Sequence, residues 1–302
     1  MSREGVRRDG ACPPVASAVK VVEVSMSYVQ PADGHQARFM PVLMGPPSSR
    51  GVASYGRVDV VAAQWRVHSG LLAGLLPDGF VPVLDGLEPL GLLTVAFADN
   101  QGVEFMAGRG YRVASVLVRA AFGSQDGPSG DFVVAMFEDD CLPIVLGREL
   151  LGLPKLFADI SIEDRPDASM MCGASLWGHT LFSLETGPLQ PRENLPEQLP
   201  PPQPLLGMRS FPDPTSGALL GEPLLTPVEA TPQEIALGTE ATVSWGFAGN
   251  GEIACVAGLL DALRTLAVDE PVVVVRSVMS RVLRTDLIER LAPPCPLPSA
   301  SL

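Results

Sequence analysis

The chain has 302 residues, with 21 Lys plus Arg against 34 Asp plus Glu and a formal net charge of −13, which excludes a protein that holds nucleic acid through its phosphates. At 46% apolar residues and a mean hydropathy of +0.25 it carries enough material for a packed core, so disorder of the whole chain is excluded as well. No apolar run approaches the roughly 18 residues of a membrane span, and no apolar segment follows Arg3, Arg7 and Arg8; neither a membrane partner nor a secretory signal is expected, and the predicted location is cytoplasmic.

Residues 1–50, rich in Pro, Gly, Ser and Ala, read as a flexible N-terminal arm. From Gly56 the texture changes to short segments rich in β-branched residues with turn residues about every ten positions, which predicts antiparallel sheet or barrel rather than βαβ units. Strands are predicted at Arg57–Val67, Gly91–Ala98, Tyr111–Phe122, Asp131–Phe137, Leu156–Glu163, Ser169–Leu184, Pro223–Val228, Ala241–Gly246 and Pro271–Ile288. Turns are expected at Asp99–Asn100, Gly123–Gly127 and Ala248–Gly251. Helices are few. Ser69–Leu76 has Ser69 as a candidate N-cap and Pro77 as its stop, and Glu252–Leu266 carries an apolar stripe of Ile253, Val256, Leu259, Leu260 and Leu263. Nine prolines between 187 and 214, Pro200 to Pro202 among them, predict a long exposed connection without regular hydrogen bonding. The expected fold is mainly β, a β-rich α+β domain over 51–290 with this Pro-rich loop inside it and a C-terminal tail at 291–302.

Most familiar motifs are absent. Cys12, Cys141, Cys172, Cys255 and Cys295 are scattered and odd in number, which speaks against a disulfide framework or a zinc site. His35, His68 and His179 are isolated, and Gly108, Arg109 and Gly110 read as a turn before a strand, not as a nucleotide loop. No common hydrolase, P-loop or zincin signature occurs; no metal and no cofactor are expected. The acidic triplet Glu138, Asp139 and Asp140, between two apolar segments, reads as a solvated hairpin turn.

Lysine usage is more telling. Of the 21 basic residues 19 are Arg, and the only lysines are Lys20 and Lys155. Lys155 stands between Leu153-Pro154 and Leu156-Phe157, where burial would disfavour the ammonium form. At an ordinary pKa of about 10.4 roughly one lysine in 2,000 to 3,000 is neutral at pH 7, whereas a value near 6 to 7 leaves half or more able to attack a carbonyl carbon. The product is an iminium ion, a better electron sink than a ketone. The bland alternative is a lysine that snorkels from a strand end.

The stretch from Gly130 to Lys155, with Gly147, Arg148 and Glu149, a short spacer, then Pro154 and Lys155, resembles the core of the acetoacetate decarboxylase superfamily. The likeness is specific over 130–159 and weaker from Tyr55 to Leu291. It implies an antiparallel, barrel-like sheet around a mostly apolar cavity, assembly into a homo-oligomer, and the Schiff-base role for Lys155. Decarboxylases of the family follow that lysine with a second one, where this chain has Leu156. They also place a glutamate two residues after a Tyr, where Tyr111 and Arg112 here lead to Val113. Arg57 is the nearest match to the arginine that meets the substrate carboxylate. Arg112 and Arg119, seven apart, would face opposite sides of one strand, so only one can point inward.

The candidate site is therefore Lys155 as the catalytic amine, with Tyr111, Arg57, Arg112, Arg148 and Glu149 around the substrate; Arg148 and Glu149 read equally as a structural pair behind the lysine. The expected activity is that of a lyase forming an iminium between Lys155 and a small oxo acid. Leu156 and Val113 break the decarboxylase pattern, which favours dehydration, aldol or cyclisation chemistry on a 2-oxo acid, as in superfamily members of natural-product pathways. Decarboxylation of acetoacetate or another 3-oxo acid, and a non-catalytic β-barrel that binds an apolar ligand, are the alternatives.

Overall fold

Long alternating segments in the first half of the domain pair as consecutive antiparallel strands. The computed structural model describes residues 52–86, 88–193, 202–212, 219–246, 254–266, 268, 270–291 and 295–296. The arm predicted over 1–50, the turn at 248–251 and most of the 291–302 tail lie outside the described residues. β1 (Ala53–His68), β3 (Leu90–Val103), β4 (Tyr111–Phe122) and β5 (Ser129–Glu138) form an antiparallel meander, with the short β2 (Phe80–Pro82) beside β4. The turn expected at Asp99–Asn100 does not form. Both residues continue β3, paired with Arg112 and Tyr111, and the chain reverses only beyond Gly102, through a 3-10 turn at Glu104–Met106.

The first helix, α1 (Ser69–Ala73), is capped by His68, whose Nδ1 accepts from the Gly70 N–H at 3.2 Å; Ser69 is its first residue and not its cap. The next helix has no counterpart among the predicted elements. Asp140 caps α2 (Cys141–Leu146) by accepting from the Leu142 N–H at 2.9 Å, and the helix runs into a π turn at Gly147–Leu151 that ends on Gly152 in the left-handed region, φ 66°. The acidic triplet is thus no solvated hairpin: Glu138 ends β5 with 1% of its surface exposed, and Asp140 is a helix cap.

Beyond it, the predicted strand at 156–163 divides into β6 (Lys155–Phe157), parallel to β5, and β7 (Asp159–Asp164). The segment 169–184 is a hairpin of β8 (Met170–Leu176) and β9 (His179–Thr186) turning at Trp177 and Gly178, both with positive φ. There follow β10 (Gln190–Pro191), β11 (Leu205–Pro212), β12 (Leu219–Thr226), β13 (Val228–Gly238), β14 (Ala241–Trp245), α3 (Ala254–Arg264), β15 (Val273–Leu283), β16 (Glu289–Arg290) and β17 (Cys295–Pro296). The large sheet has the order β10-β13-β15-β1-β3-β4-β5-β11-β12-β16, and β14-β9-β8-β7 form a smaller one. The fold is mainly β with few short helices, as expected. The sheet is mixed, however, because β5 pairs in parallel with β11 near its start and with β6 at its end. Among the described residues its strand order is an open path and not a closed barrel.

Side chains alternate between the two faces of this sheet. Trp65, Val95, Phe97, Val116 and Phe137 pack on one face with Phe182 and Leu184 of the smaller sheet and Leu260 of α3. The other face carries smaller groups at Val60, Ala96, Ala98, Val113 and Ser115, and so leaves a cavity of about 240 Å3. Two register shifts decide what else enters it. One at Gly56 and Arg57, in the pairing with β15, brings Tyr55 to the face of Val58 and Val60; the other, at Val134, brings Met136 and Glu138 to the face of Val133.

The Pro-rich connection is shorter than predicted, because β11 is a strand: Leu205–Pro212 pairs with β12 along its length and with β5 at Asp131 and Phe132. Pro204 stops short of it and Pro212 ends it, so the missing N–H groups fall outside the ladder's interior. Met208 donates its N–H to the Gly152 carbonyl at 3.0 Å, which ties the strand to the π turn. Leu206, fully buried, should therefore behave as core. Leu206→Ala is expected to lower unfolding stability by about 2–5 kcal/mol in chemical denaturation; a change below about 0.5 kcal/mol would return this segment to the status of an exposed connection.

Candidate active site

Lys155 opens β6 beside Met136 of β5, with 5% of its surface exposed. Its Nζ donates to Glu138 Oε1 at 2.6 Å and to the Pro143 carbonyl at 3.2 Å. The oily surroundings expected of this amine are present in Leu151, Leu153 and Pro143, but they enclose a carboxylate. Burial pushes the Glu138 carboxyl above the usual glutamate range, against the pull of the Lys155 and Arg281 charges. Its second oxygen, Oε2, is buried without a hydrogen-bond partner.

Local sequence explains how the lysine is held. A Cβ at Gly147 would stand 2.5 Å from both Cδ and Nζ of Lys155, so the glycine makes room for the side chain. Arg148 is exposed, and its guanidinium donates to the Lys155 carbonyl at 3.1 Å. The Glu149 carbonyl accepts from Arg209 at 3.2 Å, and Arg209 pairs with Glu222 of β12. Arg148 and Glu149 thus brace the lysine loop from behind and do not line the cavity.

The other candidates fall in different places. Tyr111 lines the cavity, with its hydroxyl 3.3 Å from that of Tyr55, and burial first, then the neighbouring Tyr55 and Glu138 charges, pushes its phenol well above the usual value. Arg57 is largely exposed, 3.9 Å from Asp59, beside a separate hollow that it shares with Asp164 and Arg276. Arg112 lies on the opposite face and donates to the Ile160 carbonyl at 3.0 Å. Arg119 follows the alternation of the cavity-facing residues and is held by Asp131 at 2.8 Å. Leu156 is exposed, on the face of β6 away from Lys155.

Two residues that the sequence did not assign to the site also line the cavity. Glu138 is the cross-strand partner of Val113, so the carboxylate absent from β4 is supplied from β5 on the same face. Arg281 is the cross-strand partner of Tyr55; its guanidinium lies 4.6 Å over the Tyr55 ring and donates to Asn100 Oδ1 at 2.9 Å. Neither pairing has a local signal. Tyr55, Tyr111 and Lys155 also border a second hollow of about 40 Å3 lined by Phe105, Pro143 and Leu150. Chemically, the constellation offers a nucleophile, a carboxyl group within proton-transfer distance of it, and a phenol donor at one wall of an apolar cavity. Among the described residues no group of three His, Cys, Asp or Glu side chains is placed to hold a metal ion.

The sequence profile of the acetoacetate decarboxylase (ADC) family matches residues 39–290. Solved structures share the fold. The acetoacetate decarboxylase of Legionella pneumophila subsp. pneumophila str. Philadelphia 1 superposes with a TM-score of 0.62 at 16% identity, over 82% of this chain and 90% of that one. An acetoacetate decarboxylase-like enzyme from Sphingomonas wittichii RW1 gives 0.58 at 17%, over 78% and 91%. The enduracididine biosynthesis enzyme MppR, complexed with the condensation product of pyruvate and imidazole 4-carboxaldehyde, gives 0.61 at 18%, over 94% and 98%. Comparison with curated proteins gives no match. With its family profile spanning most of the domain, the chain belongs to the acetoacetate decarboxylase family.

Proposed function

We propose that this ADC-like protein is a lyase in which Lys155 condenses with the ketone of a small oxo acid, and that Glu138 moves the protons this requires. The observation that carries the reading is the 2.6 Å contact between two buried groups, Lys155 Nζ and Glu138 Oε1, on the wall of the cavity. The ammonium passes a proton to Glu138, and the free amine adds to the ketone carbon to give a carbinolamine. Glu138 returns the proton to the departing hydroxyl, which leaves as water. The balance is one ketone and one ammonium in, one iminium ion and one water out.

The iminium then acidifies the neighbouring C–H, and the Glu138 carboxylate removes that proton, giving an enamine. Such an enamine expels a β-hydroxyl or adds to an aldehyde. This favours dehydration or aldol chemistry on a 2-oxo acid, in keeping with Leu156 and Val113 at the positions where the decarboxylase pattern has charged residues. The likeness to MppR in complex with a pyruvate condensation product supports the same choice. The family match favours a second reading, loss of carbon dioxide from a 3-oxo acid into the same iminium sink.

Incubation with pyruvate and then borohydride should add the mass of a reduced adduct at Lys155, and Lys155→Ala should take up none; absence of an adduct across a panel of 2- and 3-oxo acids would end the iminium reading. Carbon dioxide release from acetoacetate at a rate above that from pyruvate-derived chemistry would decide for the second reading. Because attack needs Glu138 ionised to receive the lysine proton, and burial raises its pKa, the adduct rate should rise with pH along a limb that lies above the ordinary glutamate value of 4.5. Glu138→Gln should slow adduct formation by about 10²- to 10⁴-fold and abolish that limb; an unchanged profile would remove Glu138 from the chemistry.

A further inference from the structure

We infer that Arg281, oriented by Asn100 and Tyr55, is the anchor for the substrate's carboxylate. The inference rests on the Lys155 reading above and assigns the recognition that Arg57 and Arg112 were expected to provide. Lys155 and Arg281 are the two cationic side chains lining the cavity among the described residues, and Lys155 is engaged by Glu138. Elsewhere arginines that reach inward hold carboxylates: Arg119 holds Asp131, Arg209 holds Glu222 and Arg276 holds Asp59. Arg281 instead meets the neutral amide oxygen of Asn100.

What is left over on these two residues points to a ligand. Arg281 Nε is buried without a partner, and so is Nδ2 of Asn100, a residue with 0% of its surface exposed. Buried donors are nearly always satisfied, and leaving one unmade costs about 1–3 kcal/mol, more where it is charged. Asn100 stands behind the cavity wall and Arg281 lines it, so a bound carboxylate would accept from the guanidinium hydrogens that the 2.9 Å bond to Oδ1 leaves uncommitted. The guanidinium is already immobilised by the Tyr55 ring beneath it at 4.6 Å, so little freedom remains to be lost on binding. Its charge reaches the reacting groups, since it opposes the upward shift of both Glu138 and Tyr111. A chain of net charge −13 has no general attraction for an anion, which leaves selection for a carboxylate to this one fixed charge.

Borohydride trapping at Lys155 with pyruvate, and in parallel with butanone, separates this inference from the one it rests on. The wild-type chain should trap both. Arg281→Gln should need about 10- to 100-fold more pyruvate for half-maximal trapping, the loss of one charge-assisted anchor, while the butanone concentration for half-maximal trapping stays within about twofold, both read at a pH above the Glu138 limb so that the lost charge alters the rate with the two ketones alike. Equal pyruvate trapping by wild type and Arg281→Gln overturns the inference and leaves the iminium intact. Trapping of neither ketone by the wild type overturns both. Should Arg281→Gln fail to fold, Asn100→Ala serves: loss of the orienting amide should weaken pyruvate trapping several-fold and spare butanone, and an equal effect on both ketones would show a merely structural role.

Discussion

The molecule depends on keeping one ammonium and one carboxylate together out of water. Removing either partner of such a pair leaves a bare buried charge and typically costs about 3–5 kcal/mol, whereas an apolar pair of the same shape is often no less stable. The Lys155–Glu138 pair is therefore poor evidence of a stability device, and Glu138, its carboxyl pushed up by burial, is of the kind that gathers where protons must move. Much of the surrounding structure makes sense as its support. Asp140 starts the helix that delivers the Pro143 carbonyl to Nζ, Gly147 leaves space for the lysine stem, and Arg148 fixes the lysine backbone. Through Met208 and Arg209, β11 holds the π turn from the other side.

Irregularities in an otherwise regular sheet aim the remaining groups. A strand with strict alternation would send Tyr55 and Val58 to opposite faces, and likewise Val133 and Met136. The extra residue at Gly56 and Arg57 and the one at Val134 undo this, and the cavity gains a phenol and a carboxylate that a regular ladder would have turned into the opposite core. The same face is lined by Ala96, Ala98, Val113 and Ser115, so the space beside these polar groups is kept by small side chains and not by distortion.

Regular strands were legible in the sequence wherever local patterning sufficed: Tyr111–Phe122 has the predicted bounds, and Lys155 stood out because lysine is so scarce in this chain. What escaped was set by register. Glu138, next to two further acids, looks solvated in any local window, and only the bulge at Val134 and the parallel pairing with Lys155's strand bring it inside. Arg281 owes its place to a pairing with Tyr55 across 226 residues, for which no spacing rule exists. Leu205–Pro212 was hidden by its prolines, which proved to flank the ladder and not to interrupt it. Arg57, next to Val58, shares the face of Asp59 away from the cavity, and the extra residue in β1 turns Tyr55, two positions before it, inward.

Motif comparison along the chain treats Val113 as a lost carboxylate, yet the volume that such a side chain would reach is reached equally from across the ladder. Directly opposed residues on one face of an antiparallel pair have Cβ atoms about 4.5–5.5 Å apart, a distance that one glutamate side chain spans. Val113 and Glu138 are opposed in this way, and so are Tyr55 and Arg281. A charge can therefore move one strand sideways while remaining in the same cavity, and a chain can depart from its family's linear pattern without changing which groups face the substrate. In a sheet protein of this type the unit of comparison is the face of the sheet, and on that face an amine, a carboxylate, a phenol and a guanidinium are all present.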